Sequence, residues 1–506
     1  MKSQRIFLTV TLALILCAWL ARPVRADTLL STDFETDPTT QGWTTIGGSL
    51  ATWTTNESFS GIHSLSATNG GTWLSPLLPT SPLQWYRLSF KSKAPGVLHT
   101  PGAAGYAYWA ASYFDTNGNP LIPDQYSSIF SSADWVTNEF RIRAKCLAGT
   151  NGTLLPEQMA IRFQAINPQV YIDDVLVETT TPEEVAQWGD ALYDTLPAKL
   201  AYMPKVDRWS HLPLTLNRLR TGQNLRVVMM GDSVESDTQN SPFDAWLERL
   251  YPGANIQLID SIIGGGSIEY FATNMASEVF AYQPDLLCIG GISNDDNLTA
   301  FQKVVNQMRT NDLATGRNTE ILILTKQWSP NSTTGDYLLN PGYTELDQVP
   351  ASNPGGVPSG YRGDLLNFCA TNNIEYLDLT GVASEFIYGP AASGGVGPPV
   401  NTNGDPYSYW MRDQTHSNDR GKLIQGRMIE AFFAPPPFLN AIQTAGSLIL
   451  AWPLASTGYT LETTTTLGPE AAWNTVPTEF TITNGQNVVT TNLDNETQFF
   501  FRLSRP

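Results

Sequence analysis

A chain of 506 residues exceeds the roughly 100–200 residues of an ordinary domain, so about three folding units are expected. Charged residues make up 15% and aromatics 11%, with 40 Gly and 34 Pro, a balance that suits β-rich secreted modules. The formal charge of −18 repels nucleic acid and anionic membrane, and it would draw in a polyanionic substrate only through a local basic patch.

Residues 1–26 read as an export signal. Lys2 and Arg5 form its charged start, Ile6 to Leu20 its apolar middle, and Val24-Arg25-Ala26 a small-residue cleavage site. The apolar run is shorter than the roughly 18–20 residues that cross a bilayer, which disfavours a membrane anchor. Cleavage removes Lys2, Arg5, Arg22 and Arg25 and no acid, leaving a net charge of −22 on a secreted or periplasmic protein. Cys146, Cys288 and Cys369 then remain. Three scattered thiols form neither a disulfide framework nor a metal cluster, and Cys288 and Cys369 sit in apolar patterns that read as core.

Residues 27–180 alternate short apolar and polar runs between turn residues, as in Trp85-Tyr86-Arg87-Leu88-Ser89-Phe90 and Met159-Ala160-Ile161-Arg162-Phe163, which predicts a β-sandwich. Asp33-Phe34-Glu35 with Gly42-Trp43 at its start, and Val170-Tyr171-Ile172-Asp173-Asp174-Val175 at its end, resemble jelly-roll modules of the carbohydrate-binding type. That resemblance implies adjacent first and last strands, and it makes Glu35 and Asp174 candidate ligands of a structural calcium ion. The same carboxylates read equally well as solvated edge residues. Trp73, Trp85, Trp109 and Trp135 could stack on sugar rings, although tryptophans of a sandwich more often belong to its core.

Residues 181–221 read as a helical connector. Thr181-Pro182-Glu183-Glu184 is a helix start, followed by Val185, Trp188, Leu192 and Leu196 at helical spacing. From 222 to 435 strand and helix patterns alternate in five units, predicting a parallel five-stranded sheet wrapped by helices. From 436 to 506 the runs Leu448 to Trp452, Tyr459 to Glu462 and Phe499 to Leu503 predict a small β-sandwich behind the stiff Pro435-Pro436-Pro437 hinge.

Val227 to Met230 form a continuous apolar run of the kind buried on both faces of a sheet. Gly231-Asp232 end it, and Ser233 stands at the strand's carboxyl end, where open α/β sheets bind ligands. A serine hydroxyl needs a base before it can attack. Of the four histidines, His63, His99, His211 and His416, the last is preceded three residues earlier by Asp413, close enough to bond its Nδ1–H while Nε2 faces a serine. With Gly231-Asp232-Ser233 and Asp413-x-x-His416 in this order, the chain resembles the SGNH (GDSL-type) hydrolase family. The resemblance implies a flavodoxin-like α/β domain, a catalytic Ser233, His416 and Asp413, and oxyanion donors on the middle blocks.

Those donors would be the N–H groups of Ser233 and Gly265 and the side chain of Asn294. Gly265 lies in Gly264-Gly265-Gly266, where either neighbour could serve instead. Asn294 lies in Gly290-Gly291-Ile292-Ser293-Asn294-Asp295, one residue further from the glycine than the family pattern has it, so the loop bulges there or another donor replaces it. The implied chemistry is acyl transfer without a catalytic cofactor: H-E-x-x-H, zinc-spaced Cys/His pairs and the G-x-S-x-G elbow are all missing from the sequence. Asp405 to Lys422 resembles secreted bacterial SGNH proteins of the carbohydrate-esterase sort, and the Gly/Pro-rich stretch Trp328 to Gly360 is expected to help wall the site. The leading expectation is a serine esterase that removes acetyl groups from a polysaccharide held by the N-terminal module. An esterase or lipase for small or lipid esters, and a carbohydrate-binding protein with an inactive SGNH domain, are the alternatives.

Overall fold

The computed structural model describes residues 26–504 except 97–106, 130–131, 148–154, 166–168, 197–203, 205–207, 292–296, 326–359, 381–409, 411–415, 436, 438, 445–446, 455–458, 469–470, 477–479, 484–485 and 493–498. Along Trp85–Ala94, Tyr86, Leu88 and Phe90 are buried while Arg87, Ser89 and Lys91 are less so, the two-residue period of a pleated strand with one face on a core. Strands of this kind build two antiparallel sheets. One runs in the order 132–143, 85–94, 170–180, 64–67, 51–54, and the other 44–46, 72–74, 158–165, 107–114, 120–129. Their inner faces meet in one apolar cluster, where Phe90 of the first sheet stands edge-on to Phe163 of the second at 4.9 Å. The first strand, Thr28–Thr32, pairs antiparallel with the last, Val170–Thr180, as the jelly-roll resemblance implied. Trp73, Trp85 and Trp109 are buried and leave no ring face for a sugar; Trp135 is half-buried, edge-on to the exposed Phe59.

Thr181 caps the connector helix α1 (Pro182–Asp194) through a reciprocal pair of bonds with Glu184. Helix α2 (Pro213–Thr221) follows. The next unit contains a parallel sheet built from β1 (Cys146–Leu147), β2 (Asn224–Gly231), β3 (Asn255–Ile262), β4 (Leu286–Gly290), β5 (Glu320–Leu324) and β6 (Glu375–Leu377), in the order β1-β3-β2-β4-β5-β6. Around it lie α3 (Ser233–Gln239), α4 (Phe243–Leu250), α5 (Ile268–Glu278), α6 (Leu298–Thr315), α7 (Gly360–Asn372) and α8 (Asp419–Phe433). Val227 and Met229 point into the apolar cluster on one face and Val228 and Met230 into that on the other, so β2 is buried on both sides. Leaving β1 aside, the order is that of the flavodoxin-like doubly wound sheet, whose switch point falls between β2 and β4.

The sheet therefore has six strands rather than the expected five, and the sixth comes from within the sandwich region. Cys146 and Leu147 pair in parallel with Ile259 and Asp260 of β3. Two residues carry no apolar run long enough to announce a strand, so only the partner strand makes them one. Cys146, Cys288 and Cys369 are buried free thiols, and burial raises the pKa of each. The C-terminal region forms a four-stranded and a three-stranded antiparallel sheet around Leu450, Trp452, Leu461 and Val489. No helix among the described residues is long and apolar enough to cross a membrane.

Candidate active site

Ser233 opens α3 directly after β2. Asp232 is the N-cap, its Oδ1 accepting the N–H of Val234 at 2.8 Å, so the helix starts where the strand stops and Ser233 stands in its first turn. Its neighbours Asp232, Val234 and Glu235 are buried while Ser233 itself is only half-buried. His416 reaches the same point from the far end of the chain. Its Nε2 lies 2.7 Å from Ser233 Oγ, a hydrogen bond spanning 183 residues of sequence.

The segment behind His416 is tied down on both sides. The N–H of Ser417 donates to Asp237 Oδ2 at 2.8 Å, and that of Asn418 to the carbonyl of the buried Trp410 at 2.9 Å. Asn418 then caps α8 by accepting from Arg420 and Gly421. Gln425 of α8 donates to Ser417 Oγ at 2.9 Å. Asp237 lies one helical turn after Ser233, so a single short helix presents the serine and anchors the residue next to the histidine. Asp237 was not legible in the sequence, because an acid on a helix face ordinarily reads as a solvated charge. Asp237→Leu would remove the carboxylate acceptor of the Ser417 N–H, and misplacement of the imidazole by about 1 Å should lower kcat about 10- to 100-fold. Asp237→Asn keeps an acceptor and should retain most of the rate; steady-state kinetics of the two variants check this.

Of the other predicted site residues, Gly265 lies in the turn after β3. The base of that turn is held against the serine strand by Ile263 N–H donating to Gly231 O at 3.0 Å. Gly265 is exposed, with φ of +68°, and a Cβ built there meets nothing within 4 Å. Asn294 and Asp413 lie outside the described residues, as does the stretch from Trp328 to Ser359. Gly290 and Gly291, which lead toward Asn294, pack directly on Glu235: Cβ atoms built on them would stand 2.6 Å from Glu235 Oε2 and 2.3 Å from Glu235 N. Glycine is the residue that allows this approach.

Glu235, two residues after Ser233, and Asp260 of β3 are both buried carboxyl groups. Burial first, then Asp232 and Asp260, push Glu235 well above the usual carboxylate range. Burial also raises Asp260, to about 6, with Asp244 adding to the rise and Lys145 and Arg143 opposing it. A folded-state pKa above the unfolded one stabilises the fold fully below the unfolded value and loses that contribution as pH rises through about 6. Wild type should therefore lose about 2 kcal/mol relative to Asp260→Asn between pH 4 and pH 8, read from urea unfolding at both pH values.

The candidate calcium residues are engaged with the 59–63 loop. Glu35 Oε1 accepts from the N–H groups of Ile62 and His63 at 2.8 and 2.7 Å, and Asp174 Oδ1 accepts from Ser60 Oγ at 2.8 Å. No group of three or more His, Cys, Asp or Glu side chains able to hold a metal ion stands among the described residues.

No family model matches the chain, and no curated protein does. Solved structures similar to it include a two-domain esterase (CEX) active on acetylated mannans, co-crystallised with mannopentaose. That match is 13% identical, covers 60% of this chain and 92% of that one, and has a TM-score of 0.31. A CBM22-1 xylan-binding domain from Paenibacillus barcinonensis Xyn10C is 18% identical over 30% of this chain and 95% of that one, at a TM-score of 0.23. The C-terminal family 22 carbohydrate binding module of Clostridium thermocellum Xyn10B is 16% identical over 30% and 94%, at 0.20.

Proposed function

We propose that this chain is a serine esterase acting outside the cytoplasm, where the export signal read in residues 1–26 would deliver it, and that its substrate is an acetylated polysaccharide. The observation that carries the reading is the 2.7 Å bond between His416 Nε2 and Ser233 Oγ, at the carboxyl end of β2 and beside the switch point of the sheet. Ser233 Oγ attacks the ester carbonyl as His416 takes its proton. The tetrahedral intermediate expels the alcohol, which receives that proton from His416, and water then cleaves the acyl-serine by the same steps in reverse. Asp413 is proposed to orient the imidazole, and the N–H groups of Ser233 and Gly265 with the Asn294 side chain to hold the oxyanion. The acetyl-polysaccharide substrate follows from the carbohydrate-esterase resemblance of residues 405–422, with the N-terminal sandwich proposed to hold the glycan.

The test is acetate release by the full-length protein from a panel of acetylated polysaccharides, run beside Ser233→Ala. Release that the variant lacks is the expected result. Cleavage of small acetyl esters alone, or a strong preference for acyl chains of eight or more carbons, would move the substrate to another ester.

A further inference from the structure

Arg143 closes the sandwich strand Ser132–Arg143 and Lys145 stands between it and β1, and both side chains are almost fully buried. Neither finds its partners in the sandwich's own acids. Arg143 forms ion pairs with Asp244 and, at 3.2 Å, with Glu248, both on α4. Lys145 Nζ donates to the carbonyl oxygen of Gln239 and, at 3.1 Å, to Asn240 Oδ1. Gln239 is the last residue of α3 and Asn240 its C-cap, so the ammonium group sits on the carbonyl end of the helix that begins at Ser233. Between these cations and the α/β unit there is also backbone pairing, through β1 and β3, and an apolar seam of Trp85 with Val185, Ala186, Ala245, Trp246 and Leu423. From the other side, Lys422 of α8 donates to the Tyr126 carbonyl of the sandwich at 2.8 Å.

An isolated helix of seven residues does not hold itself together in water, because nucleation costs more than so few internal bonds return. The amino end of α3 is fixed by β2 and the Asp232 cap. Its carboxyl end is bonded within the α/β unit by Ser241, whose N–H and hydroxyl both donate to the Thr238 carbonyl, and by Gln239 Nε2 donating to the Met229 carbonyl at 3.3 Å; Lys145 adds the bond to the Gln239 carbonyl and a cation that complements the helix dipole. We infer that the N-terminal sandwich is a working part of the catalytic unit, with Lys145 as a positioning residue that holds the Ser233 helix through its last turn. The kinetic side of this inference rests on the esterase reading; the structural side does not.

The decisive experiment compares full-length wild type with Lys145→Met, which keeps the length of the side chain and removes its charge and donors. On a small acetyl ester, which needs no glycan binding, kcat should fall at least tenfold while KM stays within about twofold. By hydrogen exchange, peptides covering residues 231–241 should exchange at least tenfold faster, with the strands of the sandwich unchanged. Glu248→Gln weakens the same interface without touching α3 and should leave both readouts as in wild type. An unchanged kcat in Lys145→Met, or equal losses in Glu248→Gln, would overturn the assignment. Should Lys145→Met fail to fold, Asn240→Ala, which removes one Lys145 acceptor together with the Asn240 bond to Ser236 Oγ, is read against Asn240→Asp, which loses only the latter; a local rise in exchange in Asn240→Ala and not in Asn240→Asp is expected, and its absence overturns the proposal. A wild-type protein that cleaves no ester would refute the esterase reading alone, and the exchange data would still decide whether Lys145 holds α3.

Discussion

Ser233→Ala should lower kcat for ester hydrolysis by about 10⁴- to 10⁶-fold and abolish labelling by a fluorophosphonate, with a stability change of only about 1 kcal/mol, because Ser233 is half-buried and the bond to His416 that is lost contributes little net. His416→Ala should cost about as much, since a serine without its base keeps its proton. The informative variant is the double one. Groups that act as a unit are far from additive, so Ser233→Ala with His416→Ala should be no slower than Ser233→Ala alone, within about threefold. Multiplicative losses would mean that the two side chains do not share one proton transfer, and a Ser233→Ala enzyme at full rate would place the chemistry elsewhere.

Gly231→Ala is the substitution with the largest expected effect on folding. Gly231 pairs with Ile262 on one side of β2 and Gly290 on the other, and a Cβ built on it would lie 2.0 Å from Gly290 O and 2.6 Å from Glu235 Cβ. The first obstacle is a backbone carbonyl of the neighbouring strand, which cannot swing aside as a side chain can. Relief requires β2 and β4 to separate where both feed the site, at a cost of about 3 kcal/mol or more. Gly264→Ala is the control: it has no positive φ, a Cβ there meets nothing within 4 Å, and its stability should stay within about 0.5 kcal/mol of wild type. Urea unfolding of the two variants tests the contrast, and similar losses in both would refute it.

These glycines show how much of the site could be read locally. Gly231-Asp232-Ser233 signals a strand end and a helix cap within three residues, because an apolar run, a tight turn and an N-cap side chain all act on adjacent backbone groups. The five strands observed at 224–231, 255–262, 286–290, 320–324 and 375–377 accordingly answer the five strand–helix units expected between 222 and 435. The pairing of Ser233 with His416 was legible too, since chemistry demanded a base and the sequence has few histidines.

By itself, then, the sequence determined that antiparallel strand patterns flank an alternation of strand and helix, and that the serine at the end of β2 meets the histidine far along the chain. What surrounds that pair was decided by tertiary structure alone. Asp237 meets Ser417 across 180 residues and Lys145 meets Gln239 across 94, and in each case a charged residue that looks solvated in the sequence is buried by a partner far along the chain. β1 is a strand only because β3 offers it an edge, and Cys146 and Leu147 carry no pattern that could announce this. Periodicity and capping act over a few residues, whereas the partner of a buried charge or of a two-residue strand is set by which surfaces the folded units bring together.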